Sequence, residues 1–173
     1  NKECDCVVIP NFIIPFGIRI PVYTVMHDLI FLDLPSITTR GKADYLIKKT
    51  LLARCMKKSV RIACVSDFTR SRCAYYFGKR AEKCFTDHIG LSEEVLSFEA
   101  APEKKDTIVY VGNVKAHKGL KTLVEAYGKL PRGAYELRII GEKEGFLTGM
   151  DETELMSEGV VFTGKLGDEA LLR

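Results

Sequence analysis

The chain has 173 residues, 46% of them hydrophobic and 28% charged, with a formal net charge of +3. That length holds one full domain or pieces of two, and the composition is that of a globular protein without low-complexity segments or internal repeats. The chain opens on Asn1 with no charged-then-apolar leader, so no signal peptide is read and a longer parent chain is expected.

The most apolar stretch, 7–26, is about long enough to span a bilayer. It contains Pro10, Pro15, Pro21, Asn11 and Arg19. Interior prolines remove helix hydrogen bonds and clash with the preceding turn, so two short strands, in "CDCVVIP" and "RIPVYTVMHD", are predicted instead. A helix over 39–59 follows. In it Ala43, Ile47, Leu51 and Cys55 recur every fourth residue and are expected to face a sheet, with Lys48, Lys49, Lys57 and Lys58 in solvent. "VRIACVS" reads as a strand. "SDFTRSRCAYYFG" reads as a helix that starts at Ser66 or Asp67 and stops at Gly78. "CFTDHI" reads as a further strand.

Residues 97–106 have little periodicity and are expected to be a linker. After them "TIVYV" is a near-continuous apolar run, as for a parallel strand buried on both faces. A helix starting near Lys118 places Leu120, Leu123, Val124 and Tyr127 on one face. "YELRIIGE" and "GVVFTGK" are strands separated by an acidic loop-and-helix region, and "GDEALLR" begins another helix. Strands and helices alternate on both sides of the linker, the pattern of α/β sheets with right-handed crossovers.

The six cysteines are Cys4, Cys6, Cys55, Cys64, Cys73 and Cys84. None forms a C-x-x-C pair, and the nine-residue spacing of Cys55, Cys64 and Cys73 matches no familiar metal-ligand pattern. Free buried thiols in a reducing compartment are expected. Between residues 40 and 83 there are thirteen Lys or Arg against Asp44, Asp67 and Glu82. Such a stretch is either a solvated face or a means of approaching an anionic surface.

In open α/β sheets ligands bind outside the carboxyl ends of the strands. The sequence puts His27 with Asp28, Ser66, Gly112 to Lys118, and Gly141 with Glu142 at such ends. The turn in "YVGNVKAHKGLKTL" combines a glycine, an amide, a lysine and a helix start. Unpaired N–H groups, a positive dipole end and a lysine charge suit a diphosphate. Neither G-x-x-x-x-G-K-[ST] nor G-x-G-x-x-G is present, so the usual triphosphate and dinucleotide signatures are absent. An ordinary strand–helix turn stays open at this point.

"IVYVGNVKAHKGLKTLVEAY" closely resembles the diphosphate-binding segment of the GT-B glycosyltransferases of family 4, the glycosyl transferases group 1. "VYTVMHDLIFLDLP", "IACVSDFTRSRC" and "LRIIGE" with "GVVFTGKLGDEALL" agree with that family in order and rough spacing. The resemblance implies an α/β fold of GT-B type, with parts of two Rossmann-like domains and parallel sheets. Residues 1–96 would be the second half of the acceptor-side domain. Residues 107–173 would be the first half of the nucleotide-sugar domain. The family's first acceptor-side strands would precede Asn1, and its nucleotide-ribose glutamate would follow Arg173.

Residue by residue, the resemblance makes His27 the catalytic candidate lining the cleft near the transferred sugar. Gly112, Asn113, Lys118, Gly141, Gly164 and Lys165 become the donor-binding candidates. Asn113 stands where many members have arginine, which removes one phosphate-facing charge. Ser66 matches a strand-end serine, but an N-cap is its expected role.

The implied activity is a retaining sugar transfer from a nucleotide-diphosphate sugar to a saccharide acceptor. That acceptor could be linked to polyprenyl diphosphate, as in cell-surface polysaccharide synthesis. No D-x-D occurs in the sequence, so neither a metal nor another cofactor is expected. The expected location is cytoplasmic, with peripheral attachment to the inner face of the plasma membrane through the basic stretch. Residues 1–173 alone are expected to be inactive. The alternative is a non-catalytic nucleotide-sugar-binding or assembly module of the same fold. No nucleic-acid recognition motif is present, and no nucleic-acid partner is expected.

Overall fold

A computed structural model describes residues 3–38, 40–99, 105–142 and 158–167. The acidic region over 143–157, the middle of the expected linker and the final helix start lie outside the described residues. The chain forms two compact units, Asn1–Gly90 and Leu91–Arg173.

The first unit runs β1 (Val7–Ile9), β2 (Val22–Met26), the short helices α1 (Ile30–Asp33) and α2 (Pro35–Thr38), α3 (Lys42–Lys58), β3 (Arg61–Cys64), α4 (Asp67–Phe77), a 3-10 segment (Gly78–Lys83) and β4 (Cys84–Thr86). Its sheet has the order β1-β2-β3-β4, with every pairing parallel. The proline-rich run 7–26 therefore supplies two strands. Among the described residues no helix is long and apolar enough to cross a membrane.

The second unit holds α5 (Glu93–Leu96), β5 (Thr107–Val111), a 3-10 turn (Ala116–Lys118), α6 (Leu120–Tyr127), β6 (Glu136–Ile140) and β7 (Val160–Gly164). Its sheet order is β5-β6-β7, again all parallel. Both units are thus Rossmann-like α/β pieces built on parallel sheets.

Each sheet is covered on one face. In the first unit Ile9, Thr24, Ile62 and Cys84 pair across the strands and are buried, while the neighbouring row Val8, Tyr23 and Arg61 is exposed. In the second unit the row Tyr110, Ile139 and Phe162 packs with the core, while Val109, Arg138 and Val161 face outward. β5 is therefore not buried on both faces, as its composition suggests. Val109 is 53% exposed and Val111 58%. The physical reason is topological. Strands added in one direction through right-handed crossovers put their connecting helices on the same side.

α3 departs from its predicted face. Leu52, Cys55 and Met56 are buried, Leu51 is half-buried, and Tyr45 packs against the core. Ala43 is exposed and Ile47 is 59% exposed, beside Leu46 at 62%. A strict four-residue repeat drifts about 40° per step on a helix of 3.6 residues per turn, so 43, 47, 51 and 55 cannot share one face. Lys49, Lys57 and Lys58 are exposed as expected, but Lys48 is partly covered and paired with Asp44 at 2.8 Å.

At its carboxyl end α3 is pinned by a buried polar cluster. The Thr24 hydroxyl lies 3.0 Å from that of Ser59 and 3.5 Å from the Cys55 sulfur. This satisfies two hydroxyls that would otherwise be costly to bury.

Cys4 and Cys6 are exposed, whereas Cys55, Cys64, Cys73 and Cys84 are buried and free. The expectation of buried thiols thus fails for the two that precede β1, which lie on a surface segment outside the sheet. Hydrogen bonds from Cys64 and Cys73 hold the Cys84 thiol down, at about 4. Hydrogen bonds with Cys64 and then Cys84, together with burial, push the Cys73 thiol up.

Candidate functional site

In the second unit three strands end in glycine or run directly into it. Gly112 follows β5, Gly141 follows β6, and Gly164 closes β7. Their turns are stitched together by backbone bonds. Gly112 N–H donates to the Ile140 carbonyl at 2.9 Å, and Gly141 N–H donates to the Gly164 carbonyl at 2.9 Å. Val114 N–H reaches the Glu142 carbonyl at 3.4 Å.

The approach of the first two turns is closer than any side chain allows. A Cβ on Gly141 would stand 2.6 Å from the carbonyl carbon of Gly112 and nearer still to its oxygen. The carboxyl edge of the sheet is therefore a lip of bare backbone. It gathers Gly112, Asn113, Gly141, Gly164 and Lys165 at one end of three adjacent strands.

The β5–α6 loop then forms one 3-10 turn, and Lys118 sits at its end, exposed. The α-helix begins at Leu120 rather than near Lys118. Gly119 adopts φ +72, a left-handed conformation that interrupts the helical path and serves as the N-cap. Val114 is buried and anchors the loop from below, and Leu120 and Val124 fix the helix to the sheet. The Tyr110 hydroxyl donates to the Asn113 carbonyl at 3.4 Å. Desolvation pushes this phenol's pKa up, so it stays a neutral donor.

Residues 92–173 match the family model described as glycosyl transferases group 1. Those residues, which make up nearly all of the second unit, are thus similar to the group 1 glycosyltransferases. No curated protein matches the chain. The family match covers the unit that holds the glycine lip and Lys118, and it supports a glycosyl transfer function.

The first unit also has polar features at the carboxyl ends of its strands. His27 follows β2 directly. Its Nε2–H donates to the Pro10 carbonyl at 3.0 Å, which leaves Nδ1 as the acceptor in the neutral ring. The His27 carbonyl accepts from the Thr69 hydroxyl at 3.0 Å. Ser66 caps α4, its hydroxyl accepting from Thr69 N–H at 3.1 Å. Beside this corner lies a cavity of about 440 Å³ lined in part by Asp28, Ile30, Asp33, Phe68, Thr69 and Arg72. His27 borders it through backbone contacts and is not itself among the lining residues.

The charged part of that cavity carries no sequence signal. Arg72 and the Tyr76 hydroxyl both donate to Asp33, and Arg72 also lies 4.5 Å from the Tyr75 ring centroid. Desolvation pushes the Asp33 carboxyl up. The bonds from Arg72 and Tyr76, with the Arg72 charge, outweigh it and leave the carboxyl below its usual range.

A lowered folded pKa means that this network contributes stability above the unfolded carboxyl value of about 4. The contribution is lost as pH falls through the folded value. Asp33→Asn is expected to lower the urea midpoint at pH 7 and to match the parent more closely at pH 3. An equal gap at both pH values would remove the ion pair as the cause.

Proposed function

We propose that the chain serves a retaining, metal-independent glycosyltransferase that moves a sugar from a nucleotide-diphosphate sugar to a saccharide acceptor. The observation that carries this is the bare-backbone lip of Gly112, Gly141 and Gly164, with exposed Lys118 at the end of the turn that follows β5, in a unit that matches the group 1 glycosyltransferase family model. The donor's diphosphate would lie against Gly112 and Asn113, with the Lys118 ammonium and the amino end of α6 facing its charge. Backbone at Gly141, Gly164 and Lys165 would hold the nucleoside.

Leaving-group charge would be met by fixed donors that need no reorganisation as the glycosidic bond to phosphate breaks. The sequence has no D-x-D pair to bridge a metal to the diphosphate. The acceptor hydroxyl would attack the face that the phosphate leaves, and the departing phosphate oxygen would take its proton. That route keeps the anomeric configuration and asks for no carboxylate nucleophile. The family resemblance would give His27 the role of lining the transferred sugar.

For the acceptor, we favour a saccharide on a polyprenyl diphosphate at the inner surface of the plasma membrane. Exposed Leu46 and Ile47 on α3, near exposed Lys42 and Lys49, support this. Apolar groups beside lysines suit an anionic bilayer, each lysine contributing about 1 kcal/mol near the surface.

The test is a thermal-shift panel of UDP, GDP and ADP in excess EDTA, run with and without anionic vesicles. One nucleoside diphosphate is expected to raise the midpoint despite the chelator, and the chain is expected to co-sediment with vesicles at low salt. A shift that requires Mg²⁺ or Mn²⁺ removes the metal-free cradle. Indifference to vesicles at low salt removes the membrane acceptor alone.

A further inference from the structure

Three thiols from separate elements of the first unit meet at one point. Cys64 ends β3, Cys84 opens β4 and Cys73 comes from α4. Ile62 pairs with Cys84 and Cys64 with Thr86, so the two strand cysteines sit one step apart on the same sheet face. Cys73 is wholly buried and meets them from the helix above. The three sulfur atoms all lie within 4.8 Å of one another. A zinc ion bound at about 2.3 Å holds thiolates roughly 3.8 Å apart in tetrahedral geometry, so small rotamer adjustments bring all three onto one ion.

Two further features fit an ion. Cys84 lines a cavity of about 440 Å³ together with Asp67, Arg70, Ser71 and Glu82. This cavity gives the otherwise enclosed thiols a route to solvent and leaves room for a fourth ligand. Three thiolates on a divalent ion leave one net negative charge, and the Arg70 guanidinium lines the same cavity.

We infer that Cys64, Cys73 and Cys84 form a three-thiolate site for a soft d10 cation of the zinc class, its fourth position open toward this cavity. Each cysteine binds as the thiolate, and the thiol protons pass to solvent. The ion ties α4 to β3 and β4, so its binding stabilises the first unit. This site lies outside residues 92–173 and is independent of the donor-site reading.

Cadmium titration of the purified, reduced, metal-stripped chain tests it. Exposed Cys4 and Cys6 are first changed to serine so that they cannot capture the ion. One equivalent of Cd²⁺ should produce a thiolate-to-metal charge-transfer band with the intensity of three Cd–S bonds and a higher thermal midpoint. Cys73→Ala should reduce the band to two bonds. It should also weaken binding by more than the roughly 10- to 100-fold that losing an outer-sphere partner costs. Cys55→Ser should leave the band unchanged. If Cys73→Ala does not fold, the band intensity of the parent and of Cys84→Ser still counts the ligands. A parent band absent at one equivalent, or a band unchanged in both Cys73→Ala and Cys84→Ser, overturns the site.

Discussion

Gly141→Ala is expected to damage the donor site more than any other single methyl group added to the second unit. Its Cβ would stand 2.6 Å from the Gly112 carbonyl carbon and 3.3 Å from the Asn113 nitrogen. These are backbone atoms, which cannot swing aside as a side chain can. Either β6 moves away from β5, or the Gly112 turn opens. Both outcomes break the Gly112-to-Ile140 bond and displace the backbone proposed to meet the diphosphate. Forced overpacking of this kind costs about 1–3 kcal/mol, and loss of nucleoside-diphosphate binding should accompany it. Gly167→Ala is the control, because its Cβ meets nothing within 4 Å, and surface changes of that sort stay within about 0.5 kcal/mol. Equal urea midpoints for the two variants would show that the lip tolerates a side chain.

Lys118→Ala should separate binding from folding. Lys118 is exposed at the end of the 3-10 turn, while the packing of that loop rests on Val114 and Leu120. Its removal should leave the thermal midpoint of the free chain nearly unchanged. A hydrogen bond to a charged group is worth about 1.5–3 kcal/mol, so affinity for the nucleoside diphosphate should fall by roughly 10- to 150-fold. Lys118→Arg should recover part of the loss, since it keeps the charge but changes the donor geometry.

Much of the architecture was legible in the sequence because local signals agreed. The prolines of 7–26 ruled out a helix and left β1 and β2. Ser66 and Gly78 marked the ends of α4, and Leu120, Leu123, Val124 and Tyr127 gave the buried face of α6. Gly112 and Gly141 could be named as candidates because each follows a strand that was legible in the sequence, whereas Gly164 came from the family resemblance.

What was not legible depends on distances across the fold. The overlap that makes Gly141 obligatory arises between two strands. The Asp33–Arg72 pair joins residues 39 apart in sequence, with nothing local to mark either partner. The cysteine cluster was hidden for a similar reason. The nine-residue spacing draws attention to Cys55, yet Cys55 turns toward Thr24 and Ser59. Cys84, from the next strand, completes the group instead. α3 misled for a simpler reason. A four-residue apolar repeat looks like a face but winds around the helix, and the chain leaves Ala43 and Ile47 outside.

Calorimetric titration of the chain with UDP, GDP and ADP in excess EDTA, set beside the same titration of Lys118→Ala, tests the donor cradle most directly. One of the three should bind at one site per chain without metal, and Lys118→Ala should weaken it by roughly 10- to 150-fold while remaining folded. No binding by a folded parent chain, or equal affinity in the variant, would contradict the assignment of Gly112, Asn113 and Lys118 to a diphosphate.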